Sequence, residues 1–201
     1  MREYENKLLL QGFLNIAGVD EAGRGPVAGP VVAAAVILDP DYNNEQVKDS
    51  KQLTEKQRRV VYWDIINNAI AYGVGIVSVS EIDETNILEA TKQAMKIAIS
   101  NLKLTPDYIL IDAVELDIDT YHESIIKGDQ KSISIAAASI VAKETRDEIM
   151  RDYDKMYPNY GFKQHKGYLT KMHQENLDKY GVSPIHRKTF APIKDMINDE
   201  K

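Results

Sequence analysis

The apolar positions of this chain change period several times along its length. "FLNIAGVD" and "GPVVAAAVIL" are apolar and largely β-branched or small, which predicts two strands central to a sheet, joined by a glycine loop. "LTEKQRRVVYWDIINNAI" shifts to the helical period: Thr54 and Gln57 have capping-box spacing, and Val60, Val61, Ile65 and Ile66 form a core stripe. "AYGVGIVSVS" alternates as a third strand. "NILEATKQAMKIAISNL" turns Ile87, Ala90, Ala94, Ile97 and Ala98 to one side of a helix. "PDYILID" is a short buried strand ending at Asp112, and "YHESIIKG" a fifth strand. "SISIAAASIVAKETRDEIMRDYDKMY" is a long helix whose small-residue start allows close approach to a sheet, and "PNYGF" stops it. "KGYLTKMHQENLDKYG" is another helix, closed by Gly181, ahead of a tail containing "SPIHRKTFAPI".

Consecutive strands, then alternation, then helices imply an α/β protein with a mixed sheet and helices on its faces. The one boundary falls near Tyr157–Phe162, dividing the chain into a main domain, 1–157, and a helical C-terminal segment, 158–201, packed on it. Hydrophobic content of 43% and charged content of 28% fit a soluble globular protein, expected as a monomer. The absence of cysteine removes disulfides, thiol nucleophiles and cysteine zinc sites. "MREYENKLLLQGF" has only a three-leucine run between charges, unlike a secretory signal, and no stretch approaches the ~20 apolar residues of a membrane span. A cytoplasmic, membrane-free protein is expected.

A net charge of −6 argues against a protein that coats nucleic acid. Yet Arg151 to Thr189 holds eight bases against four acids, together with His165, His173 and His186. An acidic whole with a basic segment suits an enzyme that gathers carboxylates in one place and grips a polyanion in another. None of the histidines has the spacing of a helical zinc motif.

"VDEAGRGPVAGP" raises the sharpest question, since it sets Asp20 and Glu21 directly before a glycine loop carrying Arg24. Neighbouring strand residues face opposite sides, so both acids reach one point only if the strand ends or kinks, which Gly23 and Gly25 permit. Asp112 ends an apolar strand, where α/β sheets place their sites, and Asp129 sits in "KGDQKS" before the long helix. Taken singly, these could be solvated acids, a turn former and a helix cap. Together they are four carboxylates at element ends, and hard divalent cations offset the repulsion of such a set. Two such ions would clamp a phosphoryl displacement. Arg24 can fork onto a phosphate, and Ser50 and Lys51, before a capped helix, offer phosphate donors. "HKGYLTKMH" supplies Lys166, Tyr168 and Lys171, basic with one aromatic, which suits a nucleic-acid backbone.

"AGVDEAGRGPVAGPVVAAAVIL", "KDSKQLT", "ILIDA", "KGDQKSISIAAASIVAKETRD", "YGFKQHKGY" and "HRKTFAPI", in that order from Ile16 to Ile193, resemble bacterial ribonuclease HII. The resemblance implies an RNase H-like fold and two Mg²⁺ or Mn²⁺ ions in the substrate complex. It implies cleavage of RNA in RNA–DNA hybrids and at single ribonucleotides in duplex DNA, leaving 3′-hydroxyl and 5′-phosphate ends. By the same resemblance Asp20, Glu21, Asp112 and Asp129 are the catalytic, metal-holding acids, while Gly23-Arg24-Gly25 and Tyr168 recognise the ribonucleotide and its junction with DNA. The related ribonuclease HIII usually carries a long N-terminal extension and lacks the Gly-Arg-Gly loop, so the HII branch is expected. Two readings from other classes stand beside it: a DNA nuclease of the same superfold, and a non-catalytic nucleic-acid-binding module.

Overall fold

A computed structural model describes residues 1–48 and 52–199. Strands β1 (Ile16–Ala22), β2 (Val31–Leu38), β3 (Ala69–Val77), β4 (Tyr108–Asp112) and β5 (Tyr121–Ile125) form one mixed sheet in the order β3-β2-β1-β4-β5. The first three run antiparallel as a meander; β4 lies parallel to β1, and β5 parallel to β4. This is the mixed sheet the apolar pattern predicted.

All eight residues of β2 are buried, because helices cover both faces of the sheet. Ala33, Ala35 and Ile37 join a core under helix α5 (Ile87–Ser100), whereas Ala34 and Val36 join a second core with α3 (Glu55–Asn68) and α6 (Ile133–Met156). On β1 the same alternation sends Val19 toward α5, and Gly18, Asp20 and Ala22 toward α6. Gly18 is obligatory there: a Cβ would lie 2.0 Å from the Ser134 carbonyl carbon, inside the helix backbone. The small-residue start of α6 and the bare Gly18 press helix and strand together, which brings the acids of β1 beside α6.

Several boundaries differ from the expectation. β1 continues two residues past Asp20. β3 stops at Val77, because Ser78 caps the short helix α4 (Val79–Glu84) with a full capping box. In α3, Val61 and Ile65 are buried one turn apart, while Val60 is 62% exposed; adjacent helical residues cannot share one narrow stripe. Helix α8 (Lys171–Tyr180) begins at the Thr170 cap, so Lys166 and Tyr168 lie before it, after the single turn α7 (Phe162–His165). Helices α1 (Glu3–Leu10), α2 (Glu45–Lys48) and α9 (Ile193–Asp199) were not anticipated. Helix α1 inserts the buried Glu5, whose Oε1 accepts from the Ser132 hydroxyl (2.5 Å) and the Ser134 amide (3.0 Å) at the start of α6.

Candidate active site

Parallel pairing of β1 with β4 sets Val19 beside Ile111, so Asp20 and Asp112 follow side by side at one edge of the sheet. Asp20 is 5% exposed. Burial, then the charges of Glu21 and Asp112, hold its carboxyl well above the ordinary range, opposed by hydrogen bonds from the Ser139 hydroxyl on α6 and the Glu21 amide (2.7 Å). Burial also raises Glu21, against the pull of Arg24, whose Nη1 lies 3.2 Å from its Oε1. The two carboxyls are close enough to perturb one another although the strand runs on to Ala22, so it needs no break for the two acids to meet. Oε2 of Glu21 is buried and has no hydrogen-bond partner among the described residues.

Asp112 Oδ1 accepts the Gly128 amide over 2.6 Å, which ties the end of β4 to the 3₁₀ turn Gly128–Gln130. Asp129 lies buried in that turn and does not cap α6; Ser132 takes the cap by accepting from the Ile135 amide. The structure thus brings Asp20, Glu21 and Asp112 within electrostatic reach of one another and sets the turn carrying Asp129 against Asp112. Among the described residues no three carboxylates or histidines stand close enough to form a finished metal cage. The donor set still fits a hard divalent cation: every donor is an oxygen, one buried oxygen is unpartnered, and crowding opposes full ionisation until positive charge arrives.

Beside the acids opens a pocket of about 310 Å³, lined by Glu21, Gly23, Arg58, Ser139, Lys143 and Tyr168. Gly25 lies beside Tyr168; a Cβ at Gly25 would sit 3.6 Å from the tyrosine ring, and Tyr168 is 47% exposed. Gly23 has another reason to be glycine. Its φ is +97°, and a Cβ there would run into Arg146 Nε at 2.2 Å and Pro30 O at 2.8 Å, inside the protein. Its missing side chain makes room for Arg146.

The basic segment divides in two. Arg187 is fully buried. Arg151 pairs with Glu144 and Glu148 (2.7 Å each), and the buried Lys166 gives its ammonium to the Lys163 carbonyl (2.7 Å) and Glu55 (3.4 Å). These three charges are turned to internal partners, whereas Lys155, Lys163, Lys171, Lys179 and Lys188 remain exposed, Lys171 with only a 3.8 Å contact to Glu175. Ser50 and Lys51 lie outside the described residues.

The sequence reading missed Ser139, Arg58, Lys143 and Arg146 at this site. Arg58 bonds Glu144 (3.2 Å) and Asp147 (2.6 Å), and Lys143 also bonds Asp147, so the pocket's cations are held by buried acids of α6. The unusual density of charge in "AKETRDE", after an alanine-rich run, signalled Lys143 and Arg146, whereas nothing local signalled Ser139 or Arg58. The histidines form a closed network. His165 stacks on His173 at 4.1 Å, and His173 Nε2 meets His186 Nε2 at 2.9 Å. Burial lowers all three, His173 and His186 to about 4, so the rings are neutral at pH 7.

A mixed five-stranded sheet with buried acids at the β1–β4 edge, beside an open cationic pocket, defines a nuclease of the RNase H-like class. The sequence profile of the family described as Ribonuclease HII matches residues 17–193. The chain is 57% identical over 197 residues to the ribonuclease HII of Enterococcus faecalis, covering 98% of this chain and 77% of that one. The structure of ribonuclease H2 from Pyrococcus horikoshii OT3 superposes with a TM-score of 0.78 at 31% identity, over 92% of this chain and 98% of that one. Bst-RNase HIII in complex with Mn²⁺ shares the fold at a TM-score of 0.69 and 21% identity, over 94% and 70%. The chain belongs to the ribonuclease HII family and is a ribonuclease H, acting on RNA–DNA hybrids. The reading as a non-catalytic binding module falls away. Among the described residues no helix is long and apolar enough to cross a membrane.

Proposed function

We propose that this chain cleaves the RNA strand of hybrids, and single ribonucleotides embedded in duplex DNA, by metal-assisted hydrolysis at Asp20, Glu21, Asp112 and Asp129. The observation that carries the reading is the meeting of buried acids with a pocket bounded by the glycine loop and Tyr168. The four carboxylates would hold two Mg²⁺ or Mn²⁺ ions, and the Mn²⁺ complex of the distant HIII relative supports that choice. When bound, such ions lower the pKa of water and stabilise charge on the leaving oxygen.

The chain's own residues do the rest. Ser139 and the Glu21 amide keep the Asp20 carboxylate aimed. The Gly128–Asp112 bond sets the spacing of the two later acids. Arg58 and Lys143, on the pocket wall, steady the strand's phosphates, and the exposed Lys171 in the 158–201 segment meets the backbone farther out. The Gly23-Arg24-Gly25 backbone contacts the ribose, and Tyr168 packs on the adjoining deoxyribose. Water adds to phosphorus as the P–O3′ bond breaks and O3′ takes a proton, leaving 3′-hydroxyl and 5′-phosphate ends.

The test is duplex DNA with one ribonucleotide, incubated with Mg²⁺, Mn²⁺ or chelator, beside all-DNA and all-RNA duplexes. Cutting only at the ribonucleotide, abolished by chelator and restored by metal, is the expected result. Full activity in chelator, or equal cutting of the all-DNA duplex, overturns the reading.

A further inference from the structure

Arg187 and Arg146 are buried guanidiniums whose bonds go to main-chain carbonyls. Arg187 Nη2 donates to Gly23 O (2.5 Å) and Pro30 O (3.3 Å), Nη1 to Arg24 O (3.0 Å), and Nε to Gly29 O (3.0 Å). Arg146 donates to Ala28, Pro30 and Lys166 carbonyls at 2.9–3.0 Å. Burial lowers both, to about 9 and about 10, which still leaves them charged at neutral pH. Two adjacent buried cations bonded to carbonyls make a costly arrangement, and its geometry has a direct consequence for the loop.

A trans peptide points its C=O and N–H in opposite directions. The Gly23 carbonyl shares a peptide unit with the Arg24 amide, and the Arg24 carbonyl shares one with the Gly25 amide. Because Arg187 draws both carbonyls inward, both N–H groups face away from the protein interior. Among the described residues neither amide donates to a partner. A cation on the carbonyl also polarises the peptide and strengthens the N–H as a donor. Arg187 is itself fixed: its guanidinium lies 5.0 Å from the Phe190 ring, and Asp83 accepts the Lys188 and Thr189 amides just beyond it.

We propose that Arg187 is the positioning residue for ribose recognition, holding and polarising two outward amides, of Arg24 and Gly25, as paired donors to the 2′-oxygen of the ribonucleotide. Arg146 supports it by fixing Ala28, Pro30 and the Lys166–Gly167 turn that leads to Tyr168. The inference rests on the loop's role in ribose reading proposed above.

The experiment uses the full chain with Arg187→Lys, which keeps charge but cannot fork onto several carbonyls. The expected result is a fall of about a hundredfold in kcat/KM on the single-ribonucleotide duplex, the scale of a misplaced contact. Affinity for the matching all-DNA duplex stays as in wild type. Methylguanidine added to Arg187→Ala should restore part of the lost rate. Wild-type cutting, or loss of DNA affinity in the same proportion, overturns the proposal, since a merely structural arginine lowers everything together. If the variants do not fold, the ¹⁵N-labelled wild-type chain is titrated with both duplexes. The Arg24 and Gly25 amide signals should shift more with the ribonucleotide present, and equal shifts overturn the proposal. Failure of wild type to cut the ribonucleotide duplex strikes instead at the function proposed above.

Discussion

The Gly128 amide donates to Oδ1 of Asp112 over 2.6 Å, and through this one bond the end of a sheet strand fixes the turn that carries Asp129. A Cβ at Gly128 would meet Ile135 Cδ1 at 2.6 Å and Asp112 Oδ1 at 3.3 Å, so the turn sits as close as the packing allows. Acids separated by a strand and a loop are thereby held in one relation.

Asp112→Asn tests charge apart from shape. The amide oxygen still accepts from Gly128, so the turn keeps its place while the site loses one negative charge. Cleavage should fall by several orders of magnitude with hybrid binding retained. A rate within a fewfold of wild type, measured on a hybrid at saturating Mg²⁺, would reduce Asp112 to a turn residue.

The loop glycines should part company. Gly23→Ala pushes a methyl into Arg146 and Pro30 at positive φ, and overpacking of that kind costs about 1–3 kcal/mol. Gly25→Ala meets only the Tyr168 ring at 3.6 Å, and its stability should stay within about 0.5 kcal/mol of wild type. Denaturant melts compare the two. Equal destabilisation would contradict the inward and outward assignments of these positions.

Tyr168→Ala bears on the junction. The ring stands half exposed beside Gly25, free to lie against a sugar. Its loss should lower kcat/KM more on a single embedded ribonucleotide than within a long hybrid, where most positions have no deoxyribose neighbour on that strand. Equal losses on the two substrates would leave Tyr168 a general contact.

The histidine network predicts an acid limit to stability. His173 and His186 titrate near 4 in the fold against about 6.5 unfolded, so the unfolded chain binds more protons between those values. Their stabilisation is complete above pH 6.5 and is lost as pH falls toward 4, at up to about 1.4 kcal/mol per pH unit for each ring. His173 gives its Nδ1–H to the Tyr168 carbonyl, so its Nε2 accepts from His186 Nε2, and protonating that acceptor would set donor against donor at 2.9 Å. Melting temperature measured from pH 7.5 to 4.5 should decline through this window, and less steeply in His186→Gln. A flat profile, or the same slope in both proteins, would argue against the network.

The sheet and its main helices were legible because their signals are local: β2 is apolar at every position, and α3 opens with a capping box. Asp20, Glu21 and Asp112 stood out in the sequence because they close apolar runs, and Asp129 because it precedes the long helix. What stayed hidden depends on contacts distant in sequence. Arg187 looked like one more base in a positive segment, and only its carbonyl partners more than 150 positions away show that it is internal. Lys166 misled for the same reason, since nothing local foretells Glu55 beside it. Helix α1 escaped notice because its value lies in one buried carboxylate bonded across 127 positions to Ser132, not in a strong apolar face of its own.

Arg187 also orders events while the chain is being made. The guanidinium that bonds the loop's carbonyls is synthesised 164 positions after the first of them. At roughly 5–20 residues per second, that is a delay on the order of ten to thirty seconds. Until then the early acids can exist beside a loop without its clamp. On the role proposed for Arg187, the choice of ribose over deoxyribose waits until that residue has been made, and a fragment that stops short of it lacks the bonds that hold the loop's carbonyls.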